Sequence, residues 1–446
     1  MPRFGLHGVH LKHHKNTAKM KPEPMPVPKS ITLPMSMHIG APAVPCVAVG
    51  DEVRVGQKIA EAGAGLSSPI YSGVSGKVKK IDEITASTGA KMRAVVIECD
   101  GEQTPAEGLV PPEVHDKESF LAAVRESGIV GLGGAGFPTV VKLNVPEGRV
   151  DTVVVNGAEC EPYITSDTRT MLDESELVCE GLSLVMKYLS IPNAILGIEK
   201  NKPECIAEMK RATASMSGVL VRALPSLYPQ GGEKVLVYHT TGRVIGEGKL
   251  PLDAGVIVVN CTTLASIAKY LRTGMPLVEK CVTVDGSAVK SPKNLIVPIG
   301  TSVRDVLDAC GGFAETPKKI LSGGPMMGVA LVDLDAPILK QTNAVLALGE
   351  KEATPPRETA CIRCGKCLDT CPFGLSPVEM AKAFEQGDDA SLEKLKVNLC
   401  MECGCCSYIC PAKRNLVQMN RLAKGKLRAY QQKQKEQKEK EGASRG

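Results

Sequence analysis

The chain has 446 residues, of which 43% are hydrophobic, 23% are charged and only 3% are aromatic. This composition is typical of a soluble protein of several domains with aliphatic cores. A formal net charge of +5 is too small to indicate a nucleic-acid partner. No run of 18 apolar residues predicts a membrane span, and no apolar N-terminal core predicts a signal peptide. We therefore expect any membrane contact to be peripheral.

The first 45 residues are rich in His, Lys, Met and Pro. A metal site on their histidines is conceivable, but no second cluster of ligands accompanies them. We therefore predict a solvent-exposed or partner-facing arm over residues 1–45. The histidines concerned are His7, His10, His13 and His14.

Short Val- and Ile-rich segments alternate with Gly-Asp and Ser-Gly turns after the arm. This pattern predicts a small β barrel-sandwich over residues 46–112, similar to lipoyl and biotinyl domains. The segment that carries a modifiable Lys in such domains corresponds to Ala62–Ile70, which contains no Lys. We expect a structural barrel without a swinging arm.

Strand and helix patterns alternate over residues 113–265, which predicts an α/β domain with a largely parallel sheet. The predicted strands are Asp151–Asn156, Ala194–Gly197 and Gly255–Asn260, and Ser175–Leu189 has the periodicity of a helix.

A β-grasp domain is predicted over residues 266–350. Two strands flank an Asp285-Gly286 turn, and a helix capped by Thr301 or Ser302 follows them. A linker with two prolines then leads to a Cys-rich helical module at 351–425. A charged tail at 426–446 is predicted to be solvated and partly helical.

The cysteines carry the strongest functional information. The chain has 17, and nine of them lie between Cys361 and Cys410. Clustered thiols in a reducing cytosol indicate metal ligands rather than disulfides. Two runs read C-x2-C-x2-C-x3-C-P, the spacing of ferredoxins with two [4Fe–4S] clusters, in which the fourth Cys ligates the cluster of the other run. We predict one cluster on Cys361, Cys364, Cys367 and Cys410, and a second on Cys400, Cys403, Cys406 and Cys371.

Zinc knuckles are the alternative for these runs, since their Cys pairs share the C-x2-C spacing, but they need no trailing Cys-Pro. A ninth thiol, Cys405, stands beside Cys406. The repeat favours Cys406 as the ligand, so Cys405 is expected to pack or to lie exposed.

A glycine-rich segment, Gly128–Asn144, could bring the backbone close to a phosphate or a planar ring, and Lys142 could supply a charge. A tight turn is an equally good interpretation. The glycines concerned are Gly131, Gly133, Gly134 and Gly136. Two carboxylates, Glu159 and Glu161, follow the next predicted strand, where ligands of α/β sheets bind. They could accept ribose hydroxyls, or serve only in caps and loop hydrogen bonds.

These segments, GLGGAGFPTVVKL and VVNGAECEPYITSDTR, resemble the NADH- and FMN-binding subunit of respiratory complex I, as do GGEKVL and VVNCTTLASIA. Leu132, Ala158 and Thr262 depart from the Arg, Asp and Glu of that family. The resemblance implies that FMN and NADH bind in the middle domain. Besides the four glycines, the implied binding residues are Phe137, Lys142, Asn156, Glu159, Glu161, Asp167, Glu233, Asn260 and Thr263.

The chain as a whole resembles the RnfC family, which belongs to the Rnf-type ferredoxin:NAD oxidoreductase complexes. The motifs include FGLHGVHLKHHKNT, YPQGGEKVLVYHTTGR, SGGPMMG and CSYICPAKRNLVQ. The resemblance implies electron transfer between ferredoxin-derived carriers and NAD through FMN and two [4Fe–4S] clusters. It also implies attachment at the cytoplasmic face of the membrane, beside membrane subunits and the iron–sulfur protein RnfB, which links the chain indirectly to ferredoxin. The whole complex would move Na⁺ or H⁺.

Two other functions stay open. A soluble relative could reduce cobalamin or donate electrons to an amino-acid reductase, although cobalamin-reductase relatives place the barrel after the clusters. Alternatively, the chain could be an electron-carrying scaffold whose middle domain is empty.

Overall fold

The computed structural model describes residues 7–85 and 89–443. Predictions that fall on 1–6, 86–88 and 444–446, which include the start of the expected arm and the end of the expected tail, lie outside the described residues.

The barrel consists of two small antiparallel sheets. After β1 (Glu23–Pro24), its strands are β2 (Ser30–Pro34), β3 (Val44–Pro45), β4 (Glu52–Val53), β5 (Lys58–Glu61), β6 (Ile70–Tyr71), β7 (Gly76–Thr85) and β8 (Lys91–Cys99). Their order is β2-β8-β7-β4 in one sheet and β3-β5-β6 in the other. The predicted boundary at residue 46 lies inside this unit, because β2 pairs along its length with β8.

The β5–β6 connection contacts other domains at the position where a carrier Lys would stand. Ser68 Oγ donates to Gly128 O at 3.2 Å, and Lys340 Nζ donates to Pro69 O at 2.6 Å. Ser68 is buried as well. This tip therefore joins the barrel to the middle domain.

The middle domain is a four-stranded parallel sheet with the order β11-β10-β9-β12. Its strands are β9 (Thr152–Gly157), β10 (Asn193–Glu199), β11 (Val219–Leu224) and β12 (Val256–Asn260), of which β9, β10 and β12 correspond to the three predicted strands. The helices are α1 (Lys117–Glu126), α2 (Thr139–Leu143), α3 (Ser166–Asp173), α4 (Ser175–Tyr188), α5 (Pro203–Ala212), α6 (Glu233–Thr241) and α7 (Cys261–Thr273), and a 3₁₀ helix covers Pro251–Ala254. Since α7 packs against α4, the predicted boundary at 265 falls within a helix of this domain.

The third unit is a mixed six-stranded sheet with the order β1-β14-β13-β17-β15-β16. Its elements are β13 (Glu279–Asp285), β14 (Lys293–Pro298), α8 (Val303–Ala309), β15 (Lys319–Ser322), β16 (Val329–Ala330) and β17 (Ala344–Leu348). Ser302, one of the two predicted caps, caps α8 by accepting from Asp305 N at 3.0 Å. The edge strand β1 comes from the N-terminal arm and pairs with β14.

The C-terminal module is helical. It contains α9 (Glu350–Ala353), α10 (Lys366–Asp369), α11 (Pro377–Gln386), α12 (Asp389–Lys394), a 3₁₀ helix at Val397–Leu399, α13 (Cys405–Ile409) and α14 (Leu416–Ala443). The predicted boundary at 425 lies inside α14. Across the described ranges, none of the helices has the length and apolar character needed to cross a membrane.

The N-terminal arm, here residues 7–29, packs on the chain itself, whereas the prediction was a solvent-exposed or partner-facing arm. Val9 exchanges backbone hydrogen bonds with Tyr228, and His14 stacks on Tyr163 with ring centroids 5.0 Å apart. Burial lowers the pKa of Lys15 to about 8. Its ammonium group donates to the carbonyl oxygens of Glu159, Glu161 and Ile164 at 2.9, 2.8 and 2.5 Å.

Candidate functional site

The glycine loop, residues 131–137, is anchored at Leu132. The Leu132 amide donates to Thr263 Oγ1 at 3.1 Å, and the buried Lys280 Nζ donates to its carbonyl at 2.5 Å. Gly133, Gly134 and Ala135 follow and are exposed. Their three amides donate no hydrogen bond to any described residue. The loop therefore offers free N–H groups to a ligand, in a backbone that is fixed on one side.

A hydrogen-bonded network lies against this loop. Asn260 Nδ2 donates to Asp167 Oδ2 at 2.7 Å, and Asn260 Oδ1 accepts from Thr263 N at 3.2 Å, which caps α7. A Cβ on Gly133 would come within 2.5 Å of Asn260 Nδ2. Glycine at 133 thus lets the loop approach a side chain that is held at both ends.

Four more predicted residues surround this region. Asn156 stands beside Asn260 in the register of β9 and β12, so the two amides share one end of the sheet. Lys142 Nζ pairs with Glu233 Oε1 at 3.0 Å on the surface. Phe137 is half-buried and closes the loop, since its carbonyl accepts from the Gly131 amide at 2.8 Å.

The two predicted carboxylates have partners within the chain. Glu159 accepts from Asp167 N at 2.7 Å and from Thr168 Oγ1 at 2.6 Å. Glu161 accepts from the amides of Met326 and Met327 at 3.0 and 2.8 Å. Burial raises the pKa of Glu161. Their function as ribose acceptors stays a prediction, and the loop hydrogen bonds that were the alternative are present.

The three departures from the complex I pattern have local explanations. Leu132 is 1% exposed, so its side chain belongs to the core. Ala158 is buried at the end of β9. Thr262 Oγ1 donates to Asp167 Oδ1 at 2.7 Å and so joins the network around Asn260.

Each cysteine run contains two residues with a left-handed backbone conformation, at matching positions. Arg363 and Gly365 have φ of 55° and 76° in the first run, and Glu402 and Gly404 have φ of 59° and 82° in the second. Left-handed residues turn successive amides toward one side, which is the backbone arrangement found around many iron–sulfur clusters. Arg and Glu adopt this conformation at a cost, which indicates backbone strain at a functional site.

The structure brings Cys371 from the first run to Cys400, Cys403 and Cys406 of the second, where all four line one cavity. We call these four thiols the inner set. Burial raises the pKa of Cys400 to about 11 and that of Cys406 to about 12, so metal ligation has to displace their protons. Four thiols that surround a cavity can ligate the several iron atoms of a cluster, whereas a single metal ion needs thiols that converge on one point. Within the described residues, no three His, Cys, Asp or Glu side chains converge on a single ion.

The outer set is Cys361, Cys364, Cys367 and Cys410. Cys361 and Cys364 are exposed, whereas Cys403 and Cys406 of the inner set are buried. Cys405 is buried and donates to Tyr228 O at 3.8 Å, so it packs, which was one of the two expectations.

One segment, Tyr228–Gly232, connects the inner set to the glycine-loop region. Tyr228 Oη donates to Cys403 O at 2.8 Å. At the other end, Asn156 Nδ2 donates to Gly231 O at 3.0 Å. Tyr228 was not predicted as a site residue; it stood in the sequence only as the first residue of the motif YPQGGEKVLVYHTTGR.

Four family models match successive parts of the chain. They are the RnfC barrel sandwich hybrid domain (residues 5–102), the Nuo51 FMN-binding domain (124–269), the SLBB domain (281–330) and the 4Fe-4S dicluster domain (358–414). The C subunit of the proton-translocating ferredoxin:NAD(+) oxidoreductase complex of Clostridium ljungdahlii is 44% identical over 436 residues, which cover 96% of this chain and 95% of that protein. The chain belongs to the RnfC family.

Other members of the RnfC family are similar over nearly the whole chain. The C subunit of the Na(+)-translocating complex of Acetobacterium woodii is 41% identical, over 96% of this chain and 97% of that protein. The C subunit of the ion-translocating oxidoreductase complex of Rhodobacter capsulatus is 39% identical, over 94% and 82%. The predicted family, the oxidoreductase class and the cofactors FMN and [4Fe–4S] are confirmed, as are a barrel-sandwich and an FMN-binding domain.

Proposed function

We propose that this chain transfers electrons between NAD(H) and the iron–sulfur partner protein of a membrane-bound Rnf-type complex, at the cytoplasmic face. It would use FMN in the middle domain and two [4Fe–4S] clusters in the C-terminal module, while other subunits move Na⁺ or H⁺. The observation that carries this proposal is the hydrogen-bonded link through Tyr228–Gly232 between the glycine-loop region and the inner thiols. We also infer that the SLBB region is a β-grasp unit, because a capped helix follows its β13–β14 hairpin.

The free amides of Gly133, Gly134 and Ala135 would contact FMN, and Phe137 would flank its ring. When bound, a flavin exchanges two electrons with nicotinamide and single electrons with iron–sulfur clusters. The remaining predicted residues have different roles. Asn260, Asp167 and Thr263 fix the loop, Asn156 orients the Tyr228–Gly232 segment, and Lys142 pairs with Glu233 on the surface after the loop. Glu159 and Glu161 hold the surrounding loops.

We infer an order for the clusters. Cys403 and Cys406 of the inner set are buried, and the Cys403 carbonyl accepts from Tyr228, so the cluster of this set would lie next to the flavin. Cys361 and Cys364 of the outer set are exposed, so that cluster would face the partner protein. Electrons tunnel faster over shorter distances. This order would divide the path from the flavin to the outer cluster into two shorter steps, with the inner cluster between them.

Two cysteine variants test this proposal. In reconstituted Cys371→Ala protein, iron analysis and EPR should show loss of the inner cluster, and NADH should no longer reduce the outer one. In Cys361→Ala, the matched control, the outer cluster should be lost while NADH still reduces the inner one. Fast reduction of the outer cluster in Cys371→Ala would contradict the order. Loaded wild-type protein that oxidises no NADH would contradict the function.

A further inference from the structure

Asn420 interrupts the apolar face of α14. The face is formed by Leu416, Asn420, Ala423 and Leu427, spaced four, three and four residues apart, which is the period of a buried helix stripe. Leu416, Ala423 and Leu427 are 2%, 0% and 1% exposed, and Asn420 is 0% exposed. An amide therefore occupies a position where the neighbouring pattern calls for an aliphatic side chain.

Among the residues that the structure describes, the side-chain amide of Asn420 has no hydrogen-bond partner. Neither Nδ2 nor Oδ1 makes a hydrogen bond with any other described residue. Burying an amide without hydrogen bonds costs free energy, and a leucine or alanine would avoid that cost. Packing on α14 alone therefore does not explain an asparagine at this position.

Asn420 lines the same cavity as the inner thiols, Cys371, Cys400, Cys403 and Cys406. The other lining residues are apolar side chains, a glycine and Cys405. Asn420 is thus the only described residue that lines this cavity with a carboxamide group. Its unpaired N–H groups are suited to sulfur acceptors.

The internal repeat supplies a contrast. Ser376–Ala381 (SPVEMA) and Asn415–Asn420 (NLVQMN) stand at the same distance after Cys371 and Cys410. Ala381 is therefore the counterpart of Asn420, and it is buried in an apolar cluster that includes Cys367 of the outer set and Cys406 of the inner set. The amide is present at one of two equivalent positions, which makes the surroundings of the two clusters unequal.

We propose that Asn420 donates a hydrogen bond from its side-chain amide to a sulfur of the inner cluster, and thereby raises the reduction potential of that cluster alone. The reduced cluster carries one more negative charge, so an N–H donor stabilises it more than the oxidised form. This inference rests on the proposed cluster assignment.

The first test is a redox titration followed by EPR on Asn420→Ala and wild-type protein, with the inner signal identified as the one that Cys371→Ala lacks. Alanine should fit, because Ala381 occupies the equivalent helix position. We expect the inner cluster to titrate at a more negative potential and the outer cluster to be unchanged. An unchanged inner potential, or equal shifts of both clusters, would overturn the proposal.

A second measurement needs no variant. Wild-type protein carrying ¹⁵N only in asparagine side-chain amides should show a ¹⁵N coupling in pulsed EPR of the reduced inner cluster, and a spectrum without that coupling would overturn the proposal even if Asn420→Ala does not fold. Absence of any cluster after reconstitution would instead be a failure of the proposed function. The two failures are therefore distinguishable.

Discussion

Glu161 provides a direct test of whether the carboxylates after β9 bind substrate or hold loops. Its two oxygens accept from the amides of Met326 and Met327, and Tyr228 Oη lies 3.4 Å from Oε1. Glu161→Ala removes both acceptors. An unpaired buried amide costs about 1–3 kcal/mol. Since Met327 is 43% exposed, water can replace Glu161 as the acceptor for the Met327 amide. Only the Met326 amide would then lose its hydrogen bond without replacement. We therefore expect a loss of about 2 kcal/mol in the free energy of unfolding.

The assay combines urea denaturation of the metal-free protein with the KM for NADH of the reconstituted protein. Gly324→Ala is the matched control, because a Cβ there would collide with the Glu161 side chain without removing its carboxylate. Both variants should lose stability by similar amounts and keep a KM within about threefold of wild type. If Glu161→Ala keeps its stability within about 0.5 kcal/mol and raises the KM tenfold or more, the carboxylate contacts the nucleotide, and our reasoning is refuted.

Three further predictions concern separate contacts. Gly133→Ala should weaken FMN binding in a fluorescence titration because its Cβ displaces Asn260, whereas Gly425→Ala, on α14 with open space around its Cβ, should not; equal affinities would contradict this. Burial lowers the pKa of Lys340 from 10.5 to about 7, so the unfolded chain binds more protons between these pH values. The free energy of unfolding should therefore rise with pH across that window, by up to about 1.4 kcal/mol per pH unit, and Lys340→Met should lack this rise in urea titrations. Cys405→Ser should keep the full iron content; loss of iron would make Cys405 a ligand.

Local patterns in the sequence determined much of this protein. The strands at the centre of the middle sheet were predictable because buried parallel strands are short continuous apolar runs. The cap of α8 and the glycines between the cysteines are equally local, since each is fixed by the backbone within a few residues. The spacing of the cysteine ligands within each run is also a local feature of the sequence.

Only the tertiary structure decided which groups are free to act. The N-terminal arm was predicted to be solvent-exposed or partner-facing because its polar residues have no partners nearby in sequence. In the structure, Lys15 donates to three backbone carbonyls that lie 144 to 149 residues further along the chain. Glu161 is likewise engaged by amides 165 and 166 residues further along the chain. Hydrogen bonds between distant segments leave no periodic trace in a sequence, so a carboxylate that looks available to a ligand can be fully occupied by the fold. For the same reason, the isolation of the Asn420 amide and the position of Tyr228 beside Cys403 became visible only once the helices and loops were packed together.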